Sequence, residues 1–114
     1  KQRAQFGKPI AALQGLQWYI SDMTVRVECA RWMIFRAAWL KVSGQPYTKE
    51  AAIAKLNASE TATFVTNLAL QIHGGYGYMK DYPLERMYRD AKITEIYEGT
   101  SEIHKVVISR AMLK

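Results

Sequence analysis

The chain has 114 residues, one domain's worth, and its 49% hydrophobic and 23% charged residues exclude intrinsic disorder. No stretch approaches the roughly 20 apolar residues of a membrane-spanning helix. The net charge of +6, from 16 Lys and Arg against 10 Asp and Glu, permits an anionic ligand; the basic residues are dispersed, so no dedicated nucleic-acid partner is expected.

The basic start, Lys1-Gln2-Arg3, lacks the apolar run of a signal peptide, and the absence of an initiator Met reads as processing or excision from something longer. Pro9 is placed to open a long helix, because proline fits a first turn. Between Ala11 and Val42 there is no proline and a single glycine, Gly15; Ser43-Gly44-Gln45-Pro46 then ends the helix. Thr48 reads as the N-cap of a second helix, with Glu50 in its first turn, running to about His73, where Gly74-Gly75 stops it. Residues 74–82 read as a loop rich in glycine and tyrosine. Pro83 starts a short helix through about Lys92, residues 93–99 connect, and Thr100 or Ser101 caps a last helix. There is no internal repeat.

In the first helix Leu13, Leu16, Ile20, Met23, Val27, Ala30, Ile34 and Ala37 alternate spacings of three and four, a seam of a and d positions. Trp18, Val25, Trp32 and Trp39 all fall at f, farthest from it. A helix apolar on two opposite faces is buried on both. One face is expected to pack on this chain's other helices and the other on a further domain or subunit. The alternative is that the remaining helices wrap both sides. The second helix is rich in alanine (Ala51, Ala52, Ala54, Ala58, Ala62, Ala69), which permits close helix approach, with Ile53, Leu56, Phe64, Leu68 and Ile72 as larger core residues. The expected fold is all-α, an antiparallel helical bundle.

Few residues carry chemistry on their own. Gly74-Gly75-Tyr76-Gly77 follows a helix rather than a strand, which suits a helix stop better than a dinucleotide fingerprint. In Tyr97-Glu98-Gly99-Thr100-Ser101-Glu102 an acidic residue and a glycine precede a helix N-terminus, where backbone N–H groups favour an anion and Glu98 is a candidate general base. The plainer reading makes Glu98 a solvated carboxylate and Thr100 only a cap. Arg3 is a candidate phosphate clamp or simply an exposed arginine. His73 suits a helix C-terminus, and His104 is expected on an exposed face. The two histidines lie 31 residues apart and Cys29 stands alone, so no metal site and no disulfide framework is expected.

Three blocks together resemble the acyl-CoA dehydrogenase family, and in the same order: Arg3-Ala4-Gln5-Phe6-Gly7-Lys8-Pro9-Ile10, Gln71-Ile72-His73-Gly74-Gly75-Tyr76-Gly77-Tyr78, and Tyr88-Arg89-Asp90-Ala91-Lys92-Ile93 running on to Ile96-Tyr97-Glu98-Gly99-Thr100-Ser101-Glu102-Ile103. The resemblance covers the whole chain but only the C-terminal third of the family's usual protein. It implies that residues 1–114 are a C-terminal helical bundle whose companions, an N-terminal helical and a middle β domain, are absent. It implies FAD held at a subunit interface of a homodimer or homotetramer. Carried over, Arg3 matches an arginine that reaches the flavin diphosphate of a neighbouring subunit, and Gln14 a further flavin contact. Gln71, Ile72, His73, Gly74 and Gly75 match the segment along the adenosine diphosphate. Thr100, Ser101 and Glu102 match flavin contacts, Gly99 a backbone contact to acyl-CoA, and Glu98 the catalytic base of the short-chain, medium-chain and glutaryl types.

The implied reaction oxidises a fatty acyl-CoA to a trans-2-enoyl-CoA, with electron-transferring flavoprotein as acceptor. The single cysteine suits a bacterial cytoplasm or a mitochondrial matrix equally. The isolated chain is expected to be inactive. The competing readings are other flavin chemistry on CoA thioesters, and a non-catalytic helical interaction or oligomerisation module that binds through its tryptophan face.

Overall fold

The computed structural model describes residues 2–114. Two short strands, β1 (Ala4–Gln5) and β2 (Lys8–Pro9), pair antiparallel in the register Ala4 to Pro9 and Gln5 to Lys8. Phe6 (φ 55°) and Gly7 (φ 74°) turn between them, both left-handed, as a two-residue hairpin loop requires. A single 3-10 turn at Ile10–Ala12 leads into α1 (Gln14–Val42). The long helix therefore does not open at Pro9, which is extended (φ −55°, ψ 138°) and committed to the hairpin.

Helix α1 ends in a Schellman motif. Gly44 (φ 68°) takes the left-handed position, its N–H donates to Lys41 C=O (3.2 Å), and Gln45 N–H donates to Leu40 C=O (2.9 Å). Helix α2 (Thr48–His73) starts one residue after its N-cap, Tyr47, so Thr48 is the first helical residue rather than the cap. Helices α3 (Gly75–Tyr78), α4 (Leu84–Ile93) and α5 (Ser101–Met112) follow. Pro83 is the N-cap of α4, and Thr100 caps α5 as expected.

Helix α2 is the centre, with α1 antiparallel to it and α4 and α5 also against it. The α1–α2 register runs from Arg36 near Glu50 (3.9 Å) to the Arg26 guanidinium over the Phe64 ring (3.9 Å). Lys105 on α5 meets Glu60 (3.6 Å). The helices close on alanines: Ala30, Ala37, Ala52, Ala54 and Ala91 are the buried apolar residues among those described. The d positions of α1 (Leu16, Met23, Ala30, Ala37) are buried or half-buried, whereas Ile20, Val27 and Ile34 at a remain exposed. The seam is only half covered because a single helix lies against it. The f residues Trp18, Val25, Trp32 and Trp39 are 61–67% exposed, so the other helices do not wrap both faces.

The molecule is accordingly long, 58 × 25 × 24 Å, with a radius of gyration of 17.5 Å. A compact chain of this length has about 13 Å. Its accessible surface is 8530 Å², about 2,000 Å² above a compact monomer of this mass. On one chain that excess is more than the roughly 800 Å² each partner gives to a standard interface, and is in the range of obligate assemblies. The isolated chain is therefore expected to self-associate or to unfold at mild temperature; sedimentation as a monodisperse monomer with a cooperative melt would contradict this.

Candidate active site

The connector between α4 and α5 carries the acidic candidate. Glu98 has φ 53°, a left-handed conformation that costs a non-glycine residue about 1–3 kcal/mol and persists only where its surroundings impose it. Those surroundings are visible on either side. Lys55, on α2, donates from Nζ to Gly99 C=O at 2.8 Å. Ser101 N–H donates to Glu95 C=O at 3.1 Å, closing the connector on itself. Gly99 has φ 96°, a conformation that favours glycine, and a Cβ there would press on His104 Nε2 at 3.1 Å. The Glu98 carboxylate is exposed, and no hydrogen bond or ion pair holds it among the described residues.

His104 is not on an open face. It is half-buried, and both its ring nitrogens, like Ser101 Oγ, are buried without a hydrogen-bond partner among the described residues. Ser101 and His104 are three apart, hence on one face of α5. The N-terminus of α5 is also not an open anion cradle. Thr100 Oγ1 accepts from Ile103 N–H (3.4 Å). Glu102 already supplies an anion: its own backbone N–H and then the Thr100 hydroxyl hold its carboxyl below the usual range.

Glu95 pins the start of the connector. Lys92 donates to it (2.7 Å) and so does the Thr63 hydroxyl from α2. The Lys92 hydrogen bond, then that of Thr63, holds the Glu95 carboxyl below its ordinary value of 4.5. A lowered folded-state pKa stabilises the fold above the unfolded value, and the stabilisation fades as pH falls from there through the folded value. Between pH 7 and pH 3 the full-length protein should therefore lose more unfolding free energy than its Glu95→Gln variant, measured in urea. Equal losses would contradict the assignment.

A second cluster forms at the far end of α2. Arg3, on the hairpin, donates from its guanidinium to His73 C=O (3.2 Å) and lies 5.7 Å from the Tyr76 ring. His73 Nδ1 is 2.8 Å from Ala69 C=O, and Gly74 turns the chain at φ 59°. Residues 75–78 are helical rather than loop, because Gly77 is buried against α2: a Cβ there would lie 2.5 Å from Leu70 C=O. Tyr76 and Tyr82 meet edge to face (5.7 Å). Arg3, Ile10, Ile72, His73, Tyr76 and Tyr82 line an open cleft of about 900 Å³. Gln71 is exposed beside it, and Gln14, exposed at the start of α1, lies at the same end through the antiparallel pairing. A guanidinium fork beside tyrosine rings fits the diphosphate and aromatic parts of FAD.

The expected site residues thus fall into two groups. Arg3, Gln14 and Gln71–Gly75 gather at one end of α2. Glu98–Glu102 gather toward the other, where Lys55 reaches Gly99. Lys55 and His73 are separated by about 27 Å of helix, so one chain does not join the two groups. Sequence reasoning missed Lys55 and Tyr82. Lys55 lies 44 residues from its partner and carries no local signal.

The family model described as "Acyl-CoA dehydrogenase, C-terminal domain" matches residues 1–113. Acryloyl-CoA reductase (NADH) from Anaerotignum propionicum is 73% identical over 113 residues, 99% of this chain and 29% of that protein. Butyryl-CoA dehydrogenase from Megasphaera elsdenii superposes with a TM-score of 0.98 at 49% identity, covering all of this chain and 30% of the other. A chain in a structure of the electron-transferring flavoprotein of Acidaminococcus fermentans also gives 0.98, at 51% identity, over all of this chain and 30% of that one. The chain therefore spans about 30% of the length of the proteins it matches. It belongs to the acyl-CoA dehydrogenase family of FAD flavoproteins, as a C-terminal helical domain of that family.

Proposed function

We propose that this domain works as the C-terminal part of a flavin-dependent acyl-CoA dehydrogenase, joined to an N-terminal helical and a middle β domain, and that Glu98 is its base. The observation that carries the reading is the left-handed Glu98–Gly99 turn, which presents an unpaired, exposed carboxylate at the entry to α5.

The chemistry follows from those groups. The Glu98 carboxylate takes a proton from the α-carbon of the acyl thioester. That carbon becomes acidic when the thioester oxygen accepts hydrogen bonds, the backbone N–H of Glu98 among them, which stabilise enolate charge as it develops. Gly99 lets the acyl-CoA approach the backbone. When bound, FAD would supply the acceptor for the β-hydride, with the trans-2-enoyl-CoA as product. Arg3 would hold the flavin diphosphate of a neighbouring subunit; Gln14, Gln71, Ile72, His73, Gly74 and Gly75 the adenosine end; Thr100, Ser101 and Glu102 further flavin contacts. The separation of the two groups along α2 suits a cofactor shared across a subunit interface. The open tryptophan face suits assembly into a homodimer or homotetramer. Electron-transferring flavoprotein is the proposed electron partner, in keeping with one of the structural matches.

The acryloyl-CoA reductase relative bears on direction. By microscopic reversibility the same Glu98, protonated, returns the α-proton when a short enoyl-CoA is reduced. The test is anaerobic: butyryl-CoA added to the full-length protein should bleach the oxidised flavin absorbance, and octanoyl-CoA ranks chain length. The isolated domain should take up FAD weakly and show no turnover; tight stoichiometric uptake in a titration would contradict the shared-site reading.

A further inference from the structure

We propose that Lys55 is a positioning residue for the catalytic turn, acting through the Gly99 carbonyl; the proposal rests on Glu98 being the base. Lys55 stands on α2, the central helix, and its half-buried side chain reaches across to the connector. Its ammonium donates to Gly99 C=O at 2.8 Å, a charge-assisted bond to the residue after Glu98.

Glu98 sits at φ 53° with no hydrogen bond of its own side chain to keep it there among the described residues. The conformation is therefore imposed by its neighbours. Glu95 is tied to Lys92 and Thr63 upstream, the Ser101 N–H to Glu95 C=O bond closes the loop, and His104 packs against Gly99 from α5. Among these, the Lys55 bond is the one from the central helix to the residue next to Glu98. Without it the Gly99 peptide loses its tie to α2, Glu98 is held less firmly in the left-handed region, and its carboxylate shifts off the line to the α-carbon. A displacement of about 1 Å at a reacting group costs on the order of a hundredfold in rate. Binding of the acyl-CoA, spread over many contacts, changes little.

The experiment uses the full-length holoprotein with butyryl-CoA, following flavin bleaching anaerobically and expressing rates per bound flavin. Lys55→Met is expected to slow the bleaching step about 10- to 100-fold, while the substrate concentration at half-maximal rate moves less than about threefold. Lys55→Arg, which keeps a charged donor, should recover most of the loss. Where Lys55→Met does not retain flavin, Lys55→Gln is measured in its place, with a loss in the same direction. Parental rates in a folded Met or Gln variant would overturn the proposal, as would a rate loss wholly accounted for by weaker substrate binding. Glu98→Gln is run alongside. If it bleaches normally, the assignment of the base has failed; if it is inert while the Lys55 variant is unaffected, only the positioning role has failed.

Discussion

Full-length protein with Glu98→Gln is expected to keep its flavin and its affinity for butyryl-CoA, yet to bleach about 10²–10⁴-fold more slowly. The amide has the shape of the carboxylate but no basic oxygen for the α-proton. The structure separates this effect from misfolding. Glu98 is exposed, and neither an ion pair nor a hydrogen bond to its carboxylate is present among the described residues. Its substitution should therefore change stability by no more than about 0.5 kcal/mol, as at other surface positions. Bleaching that survives the substitution would place the base elsewhere. A parent that fails to bleach would favour an interaction module acting through the tryptophan face.

The second large effect is structural and lies at the other end of α2. Gly77→Ala should destabilise the full-length protein by about 3 kcal/mol, the upper end for overpacking. The added Cβ would meet Leu70 C=O at 2.5 Å, Leu70 Cα at 3.1 Å and His73 Cβ at 3.2 Å, and two of these three atoms are backbone. Helix α3 would have to lift from α2, carrying Tyr76 away from Arg3 and the cleft. Flavin retention should fall with it. Gly15→Ala, in α1, is the control, since nothing lies within 4 Å of its Cβ position. Urea midpoints and flavin content should separate the two variants clearly; equal behaviour would contradict the docking of α3.

The helices with strong punctuation were legible in the sequence. Gly44 and Gly74 ended α1 and α2 in left-handed turns, Pro83 preceded α4, and Thr100 capped α5. The hairpin was not, because two-residue strands carry no periodicity and Phe6 is an unusual residue for a left-handed turn. Helix α3 was hidden because Gly-Tyr-Gly-Tyr has poor helix propensity; its fit against α2 overrides that preference. The a and d pattern of α1 did not reveal that its d residues are the covered ones while Ile20, Val27 and Ile34 at a stay exposed. Of the proposed site, the motif blocks named Arg3, Gln71–Gly75 and Glu98–Glu102. The half-burial of His104 and the bond from Lys55 to Gly99 depend on how α5 and α2 register in space, which no local pattern encodes.

The most direct test of Glu98 as base isolates proton removal from hydride transfer. Full-length holoprotein and its Glu98→Gln variant are incubated anaerobically with butyryl-CoA in D₂O, and deuterium at the α-carbon is followed by mass spectrometry. The expected result is steady α-deuteration with the parent and none above background with the variant, both retaining FAD. Exchange at the parental rate in Glu98→Gln would show that another group removes the proton.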